Sequence, residues 1–312
     1  MRSMTSESAK TSACLRKDGL EHMTRIYVFP GQGSQKIGMG EELFGRFPEQ
    51  VAIADAELGY SVPNLCLRDP SNQLNQTLFT QPALFVVNVL TFLNHLFETG
   101  KLPAFVAGHS LGEYSALFAA GVFDFQTGVR LVKQRAILMA RASGGGMAAV
   151  VGLIPDQIRQ ALAAAGLNSI DIANLNSRTQ TVISGLGKDL GTSQEILEQA
   201  GAQLFKRLPV SAAFHSRYMV EAEHEFGAFL ESFVFAEPRI PVVSNVTAQL
   251  HESSQIKQML ARQITQPVRW TESIQWLLQQ PDAEFLELGP GSVLAGLIRR
   301  IKMETQALPA AR

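Results

Sequence analysis

The chain has 312 residues and a mass of 34.0 kDa, enough for one large domain carrying an insertion or for two domains of ordinary size. Hydrophobic residues make up 46% and charged residues 18%, with a formal net charge of −1, so neither nucleic acid nor an anionic membrane is offered the basic patch it needs. The most apolar run, 84–96, is broken by Asn88, Asn94 and His95, which argues against a bilayer span; Cys14 and Cys66 lack metal-ligand spacing and read as reduced thiols of a cytoplasmic protein.

Residues 1–23 are polar and mixed in charge, which predicts a disordered leader. A strand is expected over 25–29, running into Pro30-Gly31-Gln32-Gly33-Ser34-Gln35. That loop lacks the Walker lysine and its spacing, so it suits presenting a side-chain amide and backbone N–H groups to a site better than cradling phosphate. A helical pattern fills 41–59 and a loop with a short helix fills 63–75. A buried helix is then expected to open at Gln81-Pro82-Ala83, with Pro82 near its first turn.

Around 103–116 the pattern is a short buried strand, a tight turn on Gly108 and Gly112, and an Ala-rich helix, with Ser110 at the tip. The spacing G-x-S-x-G is that of a nucleophile elbow, in which small neighbours let the backbone turn sharply enough to expose the hydroxyl. A serine capping a helix after a strand is the plainer alternative.

The next helix begins at Phe125. Gly128, Leu131, Val132, Leu138, Met139 and Ala142 share one of its sides, and Arg135 falls among them. A buried charge stripped of its partner costs roughly 3–5 kcal/mol, so either an internal carboxylate or an anionic substrate must meet Arg135, and the residues alone favour the internal salt bridge.

Gly144-Gly145-Gly146 marks a hinge, after which the expected order is strand 147–153, helix 155–165, strands 170–174 and 180–184, helix 190–201 and strand 203–209. This is the split βαβ of a ferredoxin-like module, inserted in a larger domain. The large domain resumes with Ala213-Phe214-His215-Ser216 and a helix to 231. It continues with a strand at 242–245, helices over 256–264 and 270–279, a last strand at 283–288, and a closing helix from Val293. The expected organisation is a leader at 1–23, a catalytic domain at 24–146 and 211–312, and an insertion at 147–210.

A serine hydroxyl needs a base within hydrogen-bond reach, usually histidine. Of the six histidines, His22 lies in the leader, His95 and His224 on helices, and His251 in a polar loop. His109 adjoins the serine, so its side chain diverges from it. His215 remains, with a buried structural histidine as the alternative. A Ser-His-Asp hydrolase would place its acid between serine and histidine, where the insertion stands, so a backbone carbonyl or side-chain amide is the expected orienting group.

These residues resemble the malonyl-CoA:acyl carrier protein transacylases and the related acyltransferases of polyketide synthases. The resemblance covers 24–301 in nine blocks. They are Phe29-Pro30-Gly31-Gln32-Gly33-Ser34-Gln35, Thr80-Gln81-Pro82-Ala83, Gly108-His109-Ser110-Leu111-Gly112-Glu113-Tyr114, Gln134-Arg135, Gly146-Met147-Ala148-Ala149-Val150, the segment 174–177, Ala213-Phe214-His215-Ser216, Pro267-Val268-Arg269-Trp270 and Glu287-Leu288-Gly289-Pro290-Gly291. G-x-S-x-G alone is weak; nine blocks in this order are specific.

The resemblance implies an α/β-hydrolase-like large domain with a parallel sheet and an inserted ferredoxin-like subdomain. It makes Ser110 the nucleophile, His215 its base and then acid, and the backbone carbonyl of Gln263 the orienting group. Gln32 and the N–H of Leu111 become the oxyanion hole. Arg135 becomes the bidentate partner of a malonyl carboxylate, with His109, Phe214, Met139 and Asn176 also at the substrate. Leu111 and Phe214 match malonyl-selective members, since the bulk of Phe214 would crowd a 2-methyl branch. The implied substrate is malonyl-CoA, with no bound cofactor or metal, and the partner is a phosphopantetheinylated acyl carrier protein; the default is a monomer.

Two other functions share part of this pattern. An acyl-carrier-protein editing hydrolase of the same fold is expected to lack the carboxylate-binding arginine, and a non-catalytic docking module would not need Ser110, His215, Gln32 and Arg135 together.

Overall fold

A computed structural model describes residues 23–307; the expected leader, apart from Met23, and Cys14 lie outside them. The first half of the large unit contains β1 (Thr24–Phe29), α1 (Glu41–Phe44), α2 (Pro48–Leu58), α3 (Val62–Leu67), α4 (Thr77–Thr99), β2 (Phe105–Gly108), α5 (Gly112–Ala119) and α6 (Phe125–Arg141). A second set follows: β3 (Gly145–Val151), α7 (Pro155–Ala164), β4 (Asp171–Ser177), β5 (Gln180–Leu186), α8 (Gly187–Gln199) and β6 (Leu204–Arg207). The chain then returns through α9 (Val220–Leu230), β7 (Val242–Val243), α10 (Ile256–Arg262), α11 (Trp270–Leu277), β8 (Ala283–Glu287) and α12 (Val293–Gln306).

Strands β7, β2, β1 and β8 form a parallel sheet in that order. Parallel strands joined by helical crossovers are covered on both faces, and β1 meets this by burying Ile26, Tyr27, Val28 and Phe29 completely or nearly so. Ile26 and Val28 pack with α11 and α12, whereas Tyr27 and Phe29 join the larger core around α4 and α5. The second sheet is antiparallel in the order β4-β5-β3-β6. Helices α7 and α8 bring Ile158, Leu162, Leu190 and Leu197 onto its Ala148, Val150 and Ile183, giving it a core of its own. The fold is thus the expected α/β class, an α/β-hydrolase-like unit with a ferredoxin-like one.

Several boundaries differ from expectation. Helix α4 starts at Thr77, one turn early, which places Pro82 inside it; the carbonyl left without its N–H partner belongs to Leu78, in the exposed first turn. The pattern at 41–59 is broken between α1 and α2, where Phe47 leaves helical geometry before Pro48. Only Gly144 of the expected glycine hinge lies outside β3, with φ at +75°. Gly145 pairs within the sheet, and a Cβ there would stand 2.6 Å from the backbone nitrogen of Ala213. The 23 residues of α4 are also long and apolar enough to cross a membrane, contrary to the reading from its polar interruptions. Two thirds of the most apolar window is buried inside the protein, against α5 and α6.

Two tethers bring the antiparallel sheet over the C-terminal end of the parallel one. Backbone bonds join Leu175 to Val268 and Val268 to Ala173, both 2.9 Å. The Glu304 carboxylate on α12 accepts from Ser177 Oγ, the Arg178 N–H and Thr179 Oγ1 at 3.1, 2.8 and 2.9 Å, which pins the β4–β5 turn. β4 therefore presents Asn174 and Asn176 to the cleft below it.

Candidate active site

Between the sheets lies a cavity of about 240 Å³ lined by Gln32, Gln81, His109, Ser110, Leu111, Arg135, Met139, Asn176, Phe214 and His215, with Leu294 and Leu297 of α12 on one wall. Ser110 stands between β2 and α5 with φ at +51°, a left-handed conformation that costs a non-glycine residue about 1–2 kcal/mol. The turn is held by close packing: a Cβ on Gly108 would overlap the Gly112 backbone, and one on Gly112 would overlap the Phe29 carbonyl. Asn245, just past β7, accepts the Ser110 N–H at 2.7 Å and donates to the Gly108 carbonyl at 2.6 Å, closing the elbow from the other side.

Ser110 Oγ and His215 Nε2 are 2.8 Å apart, and His215 Nδ1 is 2.7 Å from the Gln263 carbonyl oxygen. Because that carbonyl can only accept, Nδ1 carries the proton and Nε2 is left to take the serine's. Burial, with the Arg135 charge adding to it, pushes the His215 pKa down to about 3. A base that is neutral throughout the ordinary range predicts a specific pH profile. The kcat/KM for the acyl-CoA substrate should stay flat from pH 8 to about pH 5, where an unperturbed histidine would already be mostly protonated. A fall centred near pH 6.5 would contradict this environment.

Arg135 is buried, and the groups that meet it are neutral. Nη1 donates to Gln81 Oε1 at 2.6 Å; Nη2 donates to Gln263 Oε1 at 2.9 Å and to Ser110 Oγ at 3.1 Å. Its guanidinium carbon lies 5.4 Å from the centre of the Tyr114 ring, and its Nε has no partner. Among the described residues no carboxylate forms an ion pair with it. The internal salt bridge favoured by the residues alone is therefore not formed, and a cation with unused donors stands beside the serine.

His109 turns away from Ser110. Its Nε2 donates to Asn176 Oδ1 at 2.8 Å, and its ring meets Trp270 edge-on at 5.5 Å; burial lowers its pKa. Phe214 and Met139 are buried in the wall, with Met139 Sδ 3.4 Å from Gln81 Nε2. The Gln32 side chain donates to Thr77 Oγ1 at 3.2 Å, anchoring its loop to the start of α4. Gln32 and Leu111 both line the cleft, and neither main-chain N–H donates to a protein acceptor among the described residues. The Leu111 N–H also opens α5, where the helix end favours negative charge.

Some of the machinery carried no assigned role in the sequence reading: Gln81 and Asn245 as described, and Glu113 beneath the elbow. His251, expected in a polar loop, is fully buried at its side chain and lies 2.6 Å from Glu113 Oε1. The available signal is the lone charged residue in the segment Gly112-Glu113-Tyr114-Ser115-Ala116-Leu117, directly after the elbow.

A half-buried serine hydroxyl facing the cleft on a strained turn, against a neutral histidine and beside a buried cation, defines an α/β enzyme equipped for acyl transfer. The comparisons narrow the class. Residues 26–311 match the model of the acyl transferase domain family, and the chain belongs to that family. Over 285 residues it is 53% identical to a polyketide biosynthesis malonyl CoA-acyl carrier protein transacylase, BaeC, of Bacillus velezensis, covering 91% of this chain and 99% of the relative. The solved malonyl CoA-acyl carrier protein transacylase of Burkholderia pseudomallei superposes with a TM-score of 0.89 at 46% identity, covering 92% of this chain and all of that one. A second solved structure is a malonyl-transacylase in complex with its type II polyketide acyl carrier protein. It gives a TM-score of 0.85 at 38% identity, over 89% of this chain and 92% of that one.

Proposed function

We propose that this enzyme transfers a malonyl group from malonyl-CoA to the phosphopantetheine thiol of an acyl carrier protein. The observation that carries this reading is Arg135, a buried guanidinium with neutral partners, 3.1 Å from the hydroxyl that would hold the acyl group. A malonyl thioester ends in a carboxylate, and a forked guanidinium is suited to grip it.

In this mechanism Ser110 Oγ attacks the thioester carbonyl while His215 Nε2 takes its proton. The oxyanion is met by the N–H groups of Gln32 and Leu111, one such donor being worth about 2.7–4 kcal/mol. His215 then protonates the departing coenzyme A sulfur, leaving the malonyl ester on Ser110. The carrier thiol enters as the second nucleophile, gives its proton to His215, and leaves as the malonyl thioester when Ser110 recovers its hydrogen. The chemistry is ping-pong and uses malonyl-CoA as substrate, without a bound cofactor. His109 from the elbow and Asn176 from the roof join across the cleft, Met139 fills the wall behind Gln81, and Phe214 crowds a 2-methyl branch. A single methyl is worth only about 1–3 kcal/mol, so malonyl is preferred in a graded way.

In the same reading, 24–146 with 211–312 form the catalytic domain and 147–210 the inserted module that roofs the cleft. The polyketide role named for the Bacillus velezensis relative points to a carrier protein of polyketide assembly in the cytoplasm. The test is a panel of acyl-CoAs incubated with and without holo carrier protein. Malonyl should move to the carrier fastest; rapid release of free acid without carrier would make the enzyme a hydrolase instead.

A further inference from the structure

Beneath the elbow the Glu113 side chain, nearly inaccessible to solvent, takes three donors: His251 Nε2 at 2.6 Å and the Asn245 N–H at 3.2 Å on Oε1, and Gln263 Nε2 on Oε2. Two of these residues, Asn245 and Gln263, lead onward to the site. Asn245 holds the Ser110 N–H. The Gln263 main-chain carbonyl meets His215, while its side-chain oxygen accepts from Arg135. From these contacts we infer that Glu113 is a positioning residue for acyl selectivity, setting the orientation of the Gln263 amide and, through it, the Arg135 fork. This rests on Arg135 as the malonyl carboxylate partner.

Hydrogen-bond polarity sets which way the Gln263 amide faces. A side-chain amide offers an acceptor at one end and donors at the other. Gln263 Nε2 must face acceptors, and it finds Glu113 and the Ser110 carbonyl, 3.0 Å away. Its oxygen is thereby aimed at Arg135. Were the amide reversed, two donor groups would meet in a buried site, where an unsatisfied polar contact is expensive.

Glu113→Gln keeps the shape of the side chain but cannot accept from all three donors. The Asn245 N–H belongs to the main chain and cannot turn away, so the new amide keeps its oxygen there and points its NH2 at Gln263. The Gln263 side chain must then either keep its NH2 against the new one and shift, or flip and set its oxygen against the Ser110 carbonyl and its NH2 against Arg135; either way the acceptor that orients the Arg135 fork is disturbed. Malonyl binding then suffers, whereas the His215 contact, made by the Gln263 backbone, is retained.

The experiment compares kcat/KM for malonyl-CoA and acetyl-CoA in the parent enzyme, Glu113→Gln, Gln263→Met, the double variant and Arg135→Ala, with thermal midpoints alongside. Glu113→Gln should lower the malonyl-to-acetyl ratio at least tenfold, chiefly through a higher KM for malonyl-CoA. Gln263→Met, which retains the main-chain carbonyl, should do the same and serves if Glu113→Gln fails to fold. The double variant should shift the ratio no further than Gln263→Met alone. If Arg135→Ala shifts the ratio but the Gln263→Met ratio is unchanged, or Glu113→Gln slows both substrates equally, the positioning role is wrong and the carboxylate reading stands. If Arg135→Ala leaves the ratio unchanged, the carboxylate reading itself fails, and this inference with it.

Discussion

Ser110→Ala is expected to lower malonyl transfer about 10⁴-fold or more while leaving the fold intact. The hydroxyl is the one atom removed, and it is the atom placed between His215 Nε2 at 2.8 Å and Arg135 Nη2 at 3.1 Å. The turn does not depend on it: Gly108 and Gly112 make the close approach, and Asn245 holds the Ser110 main chain. Alanine bears the same Cβ at the same positive φ, so the strain is unchanged and the thermal midpoint should move little. Steady-state transfer to holo carrier protein measures the loss. A residual rate within about tenfold of the parent would mean that another group carries the acyl chain.

Arg135→Ala is expected to reduce kcat/KM for malonyl-CoA about 100-fold or more, with a much smaller change for acetyl-CoA, which has no carboxylate to lose. Truncating one partner of a buried charge pair costs roughly 2–5 kcal/mol, which sets that scale. The cost to folding should be modest by comparison. In the free enzyme Arg135 meets only neutral acceptors, so its removal releases an unpaired buried cation at the same time as it strands Gln81 and Gln263. A second effect has a definite sign. The Arg135 charge is one cause of the depressed His215 pKa, after burial; without it the pKa rises, and the acid limb of the pH profile moves upward towards neutrality. Lysine at this position would keep the charge but lose the fork, and should rescue only part of the malonyl preference.

The features legible in the sequence are those set by local pattern. The G-x-S-x-G turn is written in five consecutive residues, because the geometry is enforced by adjacent glycines. The helical period places Arg135 on the apolar side of α6, and the order of elements marks the antiparallel module, whereas the parallel sheet follows from the family resemblance. What meets Arg135 could not be read in the same way. Its partners come from α4, the elbow and the end of α10, 54, 25 and 128 residues away in sequence, and they are amide and hydroxyl oxygens rather than any acid the pattern could flag. His251 stands in a loop, as its polar neighbours suggest, but its side chain is buried against Glu113, 138 positions distant, which the local pattern does not show. Pro82 suggested a helix start because proline favours first turns, but the apolar face of α4 extends helix a turn further back, where the exposed edge tolerates the missing bond.

The most direct test of the account is a two-step chase on the intact enzyme. Malonyl-CoA is added alone, excess substrate is removed, and holo carrier protein follows, with intact-mass and peptide analysis at each stage. The account predicts a malonyl ester on the peptide bearing Ser110 after the first step, and its appearance on the carrier's phosphopantetheine thiol after the second. A label on any other residue, or malonate released to water while the carrier stays bare, would contradict it.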